Sequence, residues 1–428
     1  MKVFKIKNIP DGWKRVPVNK IFHFLRTYAI SRENLISGTL NDDGIRNIHY
    51  GDLHSTYGKP SINLRECSVP LVKDRNFAPR KEDFLIDGDL IMADVSEDYA
   101  GIGVTVSVHG LDNKKVVGGL HTFVLRDIHK ETIERYRQYI FCNLDIRNKL
   151  QKLANGVSVY GISKKNLSKL LLILPPPTEQ NRIVSVLETW DLYLEKLERK
   201  IQVKKNIKKG LMQQLLTGRK RLNGFKDPWQ KVFLGNVAEV LSGGTPDTKV
   251  EDYWGGNISW ITPSEITKLR GRYIYDTERN INELGLKNSS ASLIPAMSLI
   301  LCSRATIGDC AINMHPITTN QGFKNVVPKK IDIHFLYFLI LMKKAYFKKI
   351  SSGSTFLEFS KRNLEKMELK IPKSNDEQCA ISKVLINIDD EIDLLGKKAH
   401  FINFQKKFLL DNLVNGKIRT PQNMKVKS

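Results

Sequence analysis

Ser163-Lys164-Lys165-Asn166-Leu167, followed by Pro175-Pro176-Pro177-Thr178-Glu179-Gln180-Asn181-Arg182-Ile183, is the stretch that decides the fold, because it occurs twice. The second occurrence is Ser360-Lys361-Arg362-Asn363-Leu364, then Pro372 and Glu377-Gln378-Cys379-Ala380-Ile381. Ser163 to Ser360 and Asn166 to Asn363 are both displaced by 197; Glu179 to Glu377 and Gly218 to Gly416 by 198. One residue is therefore inserted between Pro372 and Glu377. Further upstream, Trp13-Lys14-Arg15-Val16 resembles Trp229-Gln230-Lys231-Val232 at an offset of 216, so the first copy carries 216 − 197 = 19 extra residues. A repeat of this kind means two copies of one structural unit. The ends of each copy match and the middles diverge, as expected of a shared scaffold with different surfaces.

After Pro177 the core-register positions are Ile183, Leu187, Trp190, Leu194, Leu197, Ile201, Lys204, Lys208, Leu211 and Leu215. The second copy gives Ile381, Leu385, Ile388, Ile392, Leu395, Ala399, Ile402, Lys406, Leu409 and Leu413, each displaced by 198. Spacings alternate four and three throughout, which is a heptad seam, so each helix packs along a partner helix. The simplest partner is the other copy. Pro177 and Pro372 mark the change from strand to helix, and Gly218 and Gly416 suit C-terminal stops. Thr178 with Glu179 and Gln180, and Asn375 with Glu377 and Gln378, offer capping groups and acids for the positive helix end. About 38 residues at 1.5 Å make a rod of roughly 57 Å.

The expected organisation is α+β: globular domains at 1–176 and 218–373, helices at 177–217 and 374–418, and a basic tail at 419–428. Apolar runs at Asp83–Ala93, Ser298–Cys302 and Phe323–Val327 predict strands; Lys130–Ala154 and Ile333–Ile350 predict helix.

Composition narrows the partner. The 428 residues carry a net charge of +23, with a pI near 9.6. That excess is typical of a polyanion binder. No run of 18 apolar residues predicts a membrane span. The start, Met1-Lys2-Val3-Phe4-Lys5, lacks a signal-peptide core, so a cytoplasmic location is expected. Cys67, Cys142, Cys302, Cys310 and Cys379 form no CxxC pair and read as buried reduced thiols.

Two sets of fragments, in order, carry a resemblance. One is the duplicated Pro…Glu-Gln…Ile region. The other is Gly243-Gly244-Thr245-Pro246…Tyr253-Trp254-Gly255-Gly256-Asn257-Ile258…Trp260-Ile261…Ser303-Arg304…Ile307-Gly308…Asn320-Gln321-Gly322-Phe323. The first copy adds Ile48-His49-Tyr50-Gly51-Asp52-Leu53-His54, Gly88-Asp89 and Gly119-Leu120-His121-Thr122. Over essentially its whole length the chain resembles the specificity subunit of type I restriction–modification enzymes. The resemblance implies two target-recognition domains, each reading one half of a bipartite DNA target. It implies two conserved helices, forming an antiparallel coiled coil, that set the spacer and dock two methyltransferase (modification) subunits, with restriction (motor-nuclease) subunits joining them. No cofactor is expected on this chain; S-adenosylmethionine, ATP and Mg are expected on the partner subunits. At 3.4 Å per base pair, the rod caps the half-site separation at about 17 base pairs.

Base reading needs forked or amide groups. The second domain offers Ser303, Arg304, Asn320, Gln321 and Lys324. Arg304 follows the apolar strand Leu299–Cys302, and its rival role is a surface pair with Asp309. Gly243, Gly244 and Thr245 could bring backbone N–H groups to a phosphate or form an ordinary turn. Tyr253, Trp254 and Trp260 read as core before base-stacking. The first domain offers Tyr50, Asp52, His54, Tyr57, Lys59, Asp94, Glu97, His121 and Thr122. The equivalent loops Gly156–Tyr160 and Gly353–Phe356 add Ser158, Tyr160, Ser354 and Thr355, as backbone contacts or a tight turn. The basic stretch Lys196–Lys231, with Lys204, Lys208, Arg219 and Arg221, reads as a polar waist near the spacer or as a solvated face.

A metal or acid–base site lacks support, since no HExxH-type spacing accompanies the His and Asp residues. The alternative function is a self-contained methyltransferase or nuclease. The chain has no Asn-Pro-Pro-aromatic or Asp-Pro-Pro-aromatic motif, and Glu368-Leu369-Lys370 lies in the repeated scaffold. A coiled-coil scaffold without base reading is a third reading.

Overall fold

A computed structural model describes residues 9–39, 42–57, 60–156, 158–351 and 357–426. The chain interleaves into two units: Met1–Lys196 with His400–Ser428, and Leu197–Ala399. Each therefore contains a globular body, the first half of its own long helix and the second half of the other.

In the first unit, Lys14–Pro17 pairs antiparallel with Leu171–Leu174, Lys14 opposite Leu174. This ladder joins the beginning of the repeat to its end. A five-stranded sheet follows in the order Phe22–Leu25, Thr122–Asp127, Leu90–Ala93, Thr105–His109, Ser61–Asn63. The first three pairings are antiparallel and the last parallel. Its central strand is buried at every position, which explains an uninterrupted Leu-Ile-Met-Ala run. A four-stranded sheet lies alongside in sequence, ordered Lys115–Gly118, Ile45–Ile48, Leu71–Val72, Leu35–Ile36.

In the second unit, Gln230–Phe233 pairs antiparallel with Glu368–Ile371, Gln230 opposite Ile371. The five-stranded sheet has the order Ala238–Ser242, Phe323–Pro328, Leu299–Cys302, Cys310–Asn313, Tyr273–Ile274, with the same sequence of three antiparallel pairings and one parallel. The accompanying sheet has three strands, Arg279–Ile281, Trp254–Ile261 and Thr318–Thr319. The duplicated frame thus extends into the central sheets. The accompanying sheets are where the copies part.

The long helices run Pro177–Leu215 and Asn375–Val414. None of the predicted seam residues is fully exposed. In the first unit Ile183, Val184 and Leu187 share a core with Leu410, Leu413 and Val414. In the second, Leu211 and Leu215 share one with Ile381 and Leu385. Rising numbers on one helix meet falling numbers on the other, so the pairing in each unit is antiparallel. Gly218 and Gly416 have φ of +69° and +70°. Lys220 N–H bonds the Gln214 carbonyl and Ile418 N–H that of Asn412, both at 3.1 Å, closing each helix the same way. A Cβ at Gly218 would also meet the Trp229 ring, and one at Gly416 the Trp13 ring, at 3.3 Å.

Four local expectations change. The Lys130–Ala154 helix is two helices, Glu134–Ile140 and Leu144–Leu153, because Asn143 caps the second by accepting from Ile146 N–H at 3.0 Å. Ile333–Ile350 likewise divides at Lys343. Only Leu90–Ala93 of the Asp83–Ala93 run is strand, since Gly88 turns the chain with φ of +85°. All five cysteines are free, but only Cys302 and Cys310 are buried; Cys67 and Cys142 are half-buried and Cys379 is exposed.

Candidate nucleic-acid interface

The Glu-Gln dipeptides are not helix caps. Glu179 Oε2 accepts from Trp13 Nε1 at 2.8 Å, and its two oxygens accept from Arg419 at 2.7 and 2.8 Å. Glu377 accepts from Trp229 Nε1 at 3.2 Å and from Arg221 at 2.6 and 2.8 Å. Arg419 and Arg221 are themselves displaced by 198. Burial pushes the Glu179 carboxyl up, but hydrogen bonds from Arg419 and Trp13 outweigh it and hold it below the usual range. Gln180 Oε1 accepts from Ile133 N–H at 2.8 Å, and Gln378 Oε1 from Asp332 N–H at 2.9 Å. At the second helix start, the Ser374 hydroxyl caps by accepting from Asp376 N–H at 3.2 Å. Each Glu-Gln pair is a latch joining a helix start, the globular body and the exit of the other helix.

The seam lysines are likewise paired. Lys208 bonds Asp389 at 2.5 Å, Lys204 bonds Glu391 at 2.7 Å and Lys406 bonds Asp191. These charges, with Arg221 and Arg419, close the scaffold, which removes them from a solvated face or from a loose basic tail.

The equivalent sheets define one equivalent edge. Ala93 lies opposite Thr122 and Cys302 opposite Phe323. Just beyond, Asp94 N–H bonds the His121 carbonyl at 3.2 Å and Ser303 N–H bonds the Gly322 carbonyl at 2.8 Å. In the first unit this edge gathers Tyr50, His54, Asp94, His121 and Tyr160. The Tyr50 ring meets His54 at 6.2 Å and His121 at 5.5 Å, both edge-on. His121 Nδ1 stands 3.4 Å from Asp94 Oδ1, and Tyr160–Gly161 pairs with Val95–Ser96 beside them. Burial pushes the Asp94 carboxyl above its usual value against the pull of His121. His121 is held at φ of +53°, a strained backbone at the rim. Glu97 and Ser158 are exposed. Asn155 and Gly161 pair in an isolated antiparallel bridge, and Val157 between them lies outside the described residues.

Three first-unit candidates face inward. Tyr57 is in the hydrophobic core, and burial raises its phenol pKa. Asp52 is buried as the partner of His49 N–H at 3.0 Å and Arg32 at 2.8 Å. Thr122 is buried and donates to the Gly119 carbonyl at 2.7 Å. Lys59, Ser354 and Thr355 lie outside the described residues.

In the second unit the edge carries Ser303, Arg304, Gln321, Lys324 and, unforeseen, Glu358. Arg304 pairs with Glu358 at 2.6 Å rather than with Asp309, which takes Lys344. Lys324 reaches the same carboxylate at 2.9 Å and is buried. Ser303 is fully buried. Gln321 is exposed and accepts from the Thr245 hydroxyl at 2.6 Å. Asn320 Oδ1 serves its own turn, accepting from Gly322 N–H at 2.9 Å. The Gly244 N–H is bonded to the Thr319 carbonyl at 2.8 Å, and a Cβ at Gly243 would stand 1.9 Å from the Asn320 carbonyl oxygen. These glycines permit close packing, and the Gly244 N–H is already taken by the Thr319 carbonyl. Trp260 is core, and Arg279 stacks 3.7 Å over Trp254.

The two edges differ in chemistry. The first presents a carboxylate, two imidazoles and two phenols; the second a guanidinium and an amide. Acids suit cytosine N4, a guanidinium fork suits guanine and an amide suits adenine. Among the described residues, no cluster of His, Cys, Asp and Glu suits a metal ion. No helix there is long and apolar enough to cross a membrane.

The family described as the type I restriction modification DNA specificity domain matches twice, at residues 10–205 and 226–403. The chain belongs to that family. It is similar to the MjaIX specificity subunit of Methanocaldococcus jannaschii, 42% identical over 168 residues, a match spanning 39% of each chain. It is also similar to the putative MjaX specificity subunit of that organism, 24% identical across 98% of this chain and 96% of the relative. The type I restriction–modification S subunit of M. genitalium aligns over 96% of this chain and 98% of its own, at 14% identity and TM-score 0.53. A chain solved in work on complex assembly and conformational transition of the type I system aligns over 96% and 100%, at 17% identity and TM-score 0.63. These structural likenesses speak to the fold.

Proposed function

We propose that this chain is the DNA-reading specificity subunit of a type I restriction–modification enzyme, with each unit reading one half of a bipartite duplex target. The observation that carries this reading is the pair of topologically matched sheets whose equivalent edges bear different hydrogen-bonding groups. Matched frames suit a duplex approached twice in related geometry; different edges suit unlike half-sites. The net charge of +23 supports a polyanionic ligand.

The chemistry is assigned to partners: methyltransferase subunits carrying S-adenosylmethionine, and motor-nuclease subunits using ATP and Mg. Exposed Val203 and Ile207 on the first long helix, and Phe401, Phe404 and Phe408 on the second, are the apolar groups on which protein partners would dock. At 39 and 40 residues the helices are matched in length, which supports their setting the unread spacer.

Methylation mapping of DNA from cells expressing this chain with its partner subunits tests the proposal. The expected result is adenine methylation at one split sequence. Methyl transfer by the purified chain alone would overturn it, as would equal affinity for all duplexes at matched salt.

A further inference from the structure

Glu358 lies where two separate parts of the second unit converge. The strand Leu299–Cys302 delivers Ser303 and Arg304, and the neighbouring strand Phe323–Pro328 delivers Lys324. Glu358 comes from the segment leading to the repeated Ser360 cap. The residue after it, Phe359, is fully buried and stacks on Phe347 at 5.1 Å. Ser360 Oγ then accepts from Asn363 N–H at 3.1 Å. Glu358 is therefore anchored immediately on its C-terminal side.

Its two oxygens divide the work. Oε1 accepts from Lys324 at 2.9 Å and lies 3.4 Å from Ser303 Oγ. Oε2 meets both Nε and Nη2 of Arg304 at 2.6 Å. Lys324 is held inside, with a side chain 10% exposed, whereas Arg304 is 44% exposed. With its Nε–Nη2 side engaged by Glu358, Arg304 keeps the Nη1–Nη2 end for another acceptor. That end is the fork that fits guanine O6 and N7. Ala305, next in the chain, sits at φ of +52°, in the left-handed region.

We propose that Glu358 is a specificity-determining positioning residue, holding Arg304 side-on so that the end of its guanidinium presents a fixed fork to one guanine of the half-site read by the second unit. This rests on the DNA-reading function proposed above. The acid also repels phosphates from a site otherwise carrying two cations, which favours base contact over backbone contact. The device belongs to one copy: the equivalent of Glu358 is Gly161, at the same offset of 197 as Ser163 and Ser360. The first half-site is therefore an internal control.

The test is selection from a randomised duplex pool, with sequencing, using the full chain together with its methyltransferase subunits. Wild type, Glu358→Gln, Arg304→Ala and the double variant are compared. Glu358→Gln is expected to lower the guanine preference at one base pair about tenfold and to leave the other half-site unchanged. Affinity for unselected duplex should rise, with a salt slope steeper by about one. Adding Glu358→Gln to Arg304→Ala should not change the base preference further. An unchanged preference in Glu358→Gln, or an equal loss across all sequences with a lowered melting temperature, would overturn the role. A wild type that enriches a split target while Glu358→Gln retains its preference sinks this role alone. A wild type that enriches nothing sinks the proposed function and this role with it.

Discussion

Arg419 grips both carboxylate oxygens of Glu179, 240 residues away in sequence, at 2.7 and 2.8 Å. The grip is reproduced by Arg221 on Glu377 at 2.6 and 2.8 Å. In each unit the exit of one long helix is thereby tied to the entrance of the other. Arg419→Ala leaves a buried carboxylate with Trp13 as its hydrogen-bond donor. It should cost about 2 kcal/mol, read as a lower midpoint in urea. Arg419→Ala with Glu179→Gln should cost less than the sum of the two single changes.

The seam charges predict an asymmetry. Lys406 is 13% exposed and Asp191 44% exposed. Lys406→Met leaves an acid that water can reach and should change stability by about 0–1 kcal/mol. Asp191→Ala strands the buried ammonium and removes the acceptor of the Tyr139 hydroxyl at 3.0 Å. It should cost about 2–3 kcal/mol. Thermal melts that rank Lys406→Met as the worse variant would contradict this.

Edge substitutions should act on one half-site each. Arg304→Ala should relax one position read by the second unit by about 1–3 kcal/mol. Asp94→Asn should alter only the half read by the first unit. Methylation mapping checks both, and a uniform loss of binding would instead make Arg304 a phosphate contact.

Acid should loosen the second body through Asp332. Its carboxylate accepts from Phe335 N–H and Ser382 Oγ, both at 2.7 Å. Burial pushes its pKa up, but the facing His334 imidazole and the hydrogen bonds from Ser382 Oγ and Phe335 N–H outweigh it and lower the pKa to about 2. A depressed carboxylate stabilises the fold fully above its unfolded value of 3.8, and that contribution, about 2 kcal/mol, is lost as pH falls towards 2. The stability difference between wild type and Asp332→Asn in urea should therefore be large at pH 7 and shrink by pH 2.5.

Helix length should set the unread gap. Removing one heptad from the first long helix alone breaks pairs such as Lys208–Asp389 and should inactivate the protein. Removing matched heptads from both should shorten the spacer by about 3 base pairs, taking 1.5 Å per helical residue and 3.4 Å per base pair. An unchanged spacer in mapped methylation sites would defeat the ruler.

Much of the frame was legible because its signals are local. The alternating spacing from Ile183 to Leu215 states which face of the helix is buried, and Gly218 and Gly416 mark where a left-handed residue closes it. The candidate site was legible only in part. Tyr50, His54, Asp94, His121 and Tyr160 do converge, and Arg304 does stand at a strand end. Tyr57, Asp52 and Thr122 carry the right functional groups but point inward, and the Gly244 N–H is already bonded. No local pattern distinguishes a base-reading group from one that holds a turn.

The sequence by itself determined the duplicated scaffold, the paired heptad seams and the strongly basic character. Those follow from periodicity, repeat offset and charge, which are properties of the chain in one dimension. Only the tertiary structure decided that Glu179 closes on Arg419 and that Glu358 gathers Arg304 and Lys324. Such pairs depend on the path the chain takes between residues far apart in sequence. Burial along that path determines whether a charge meets a partner or solvent.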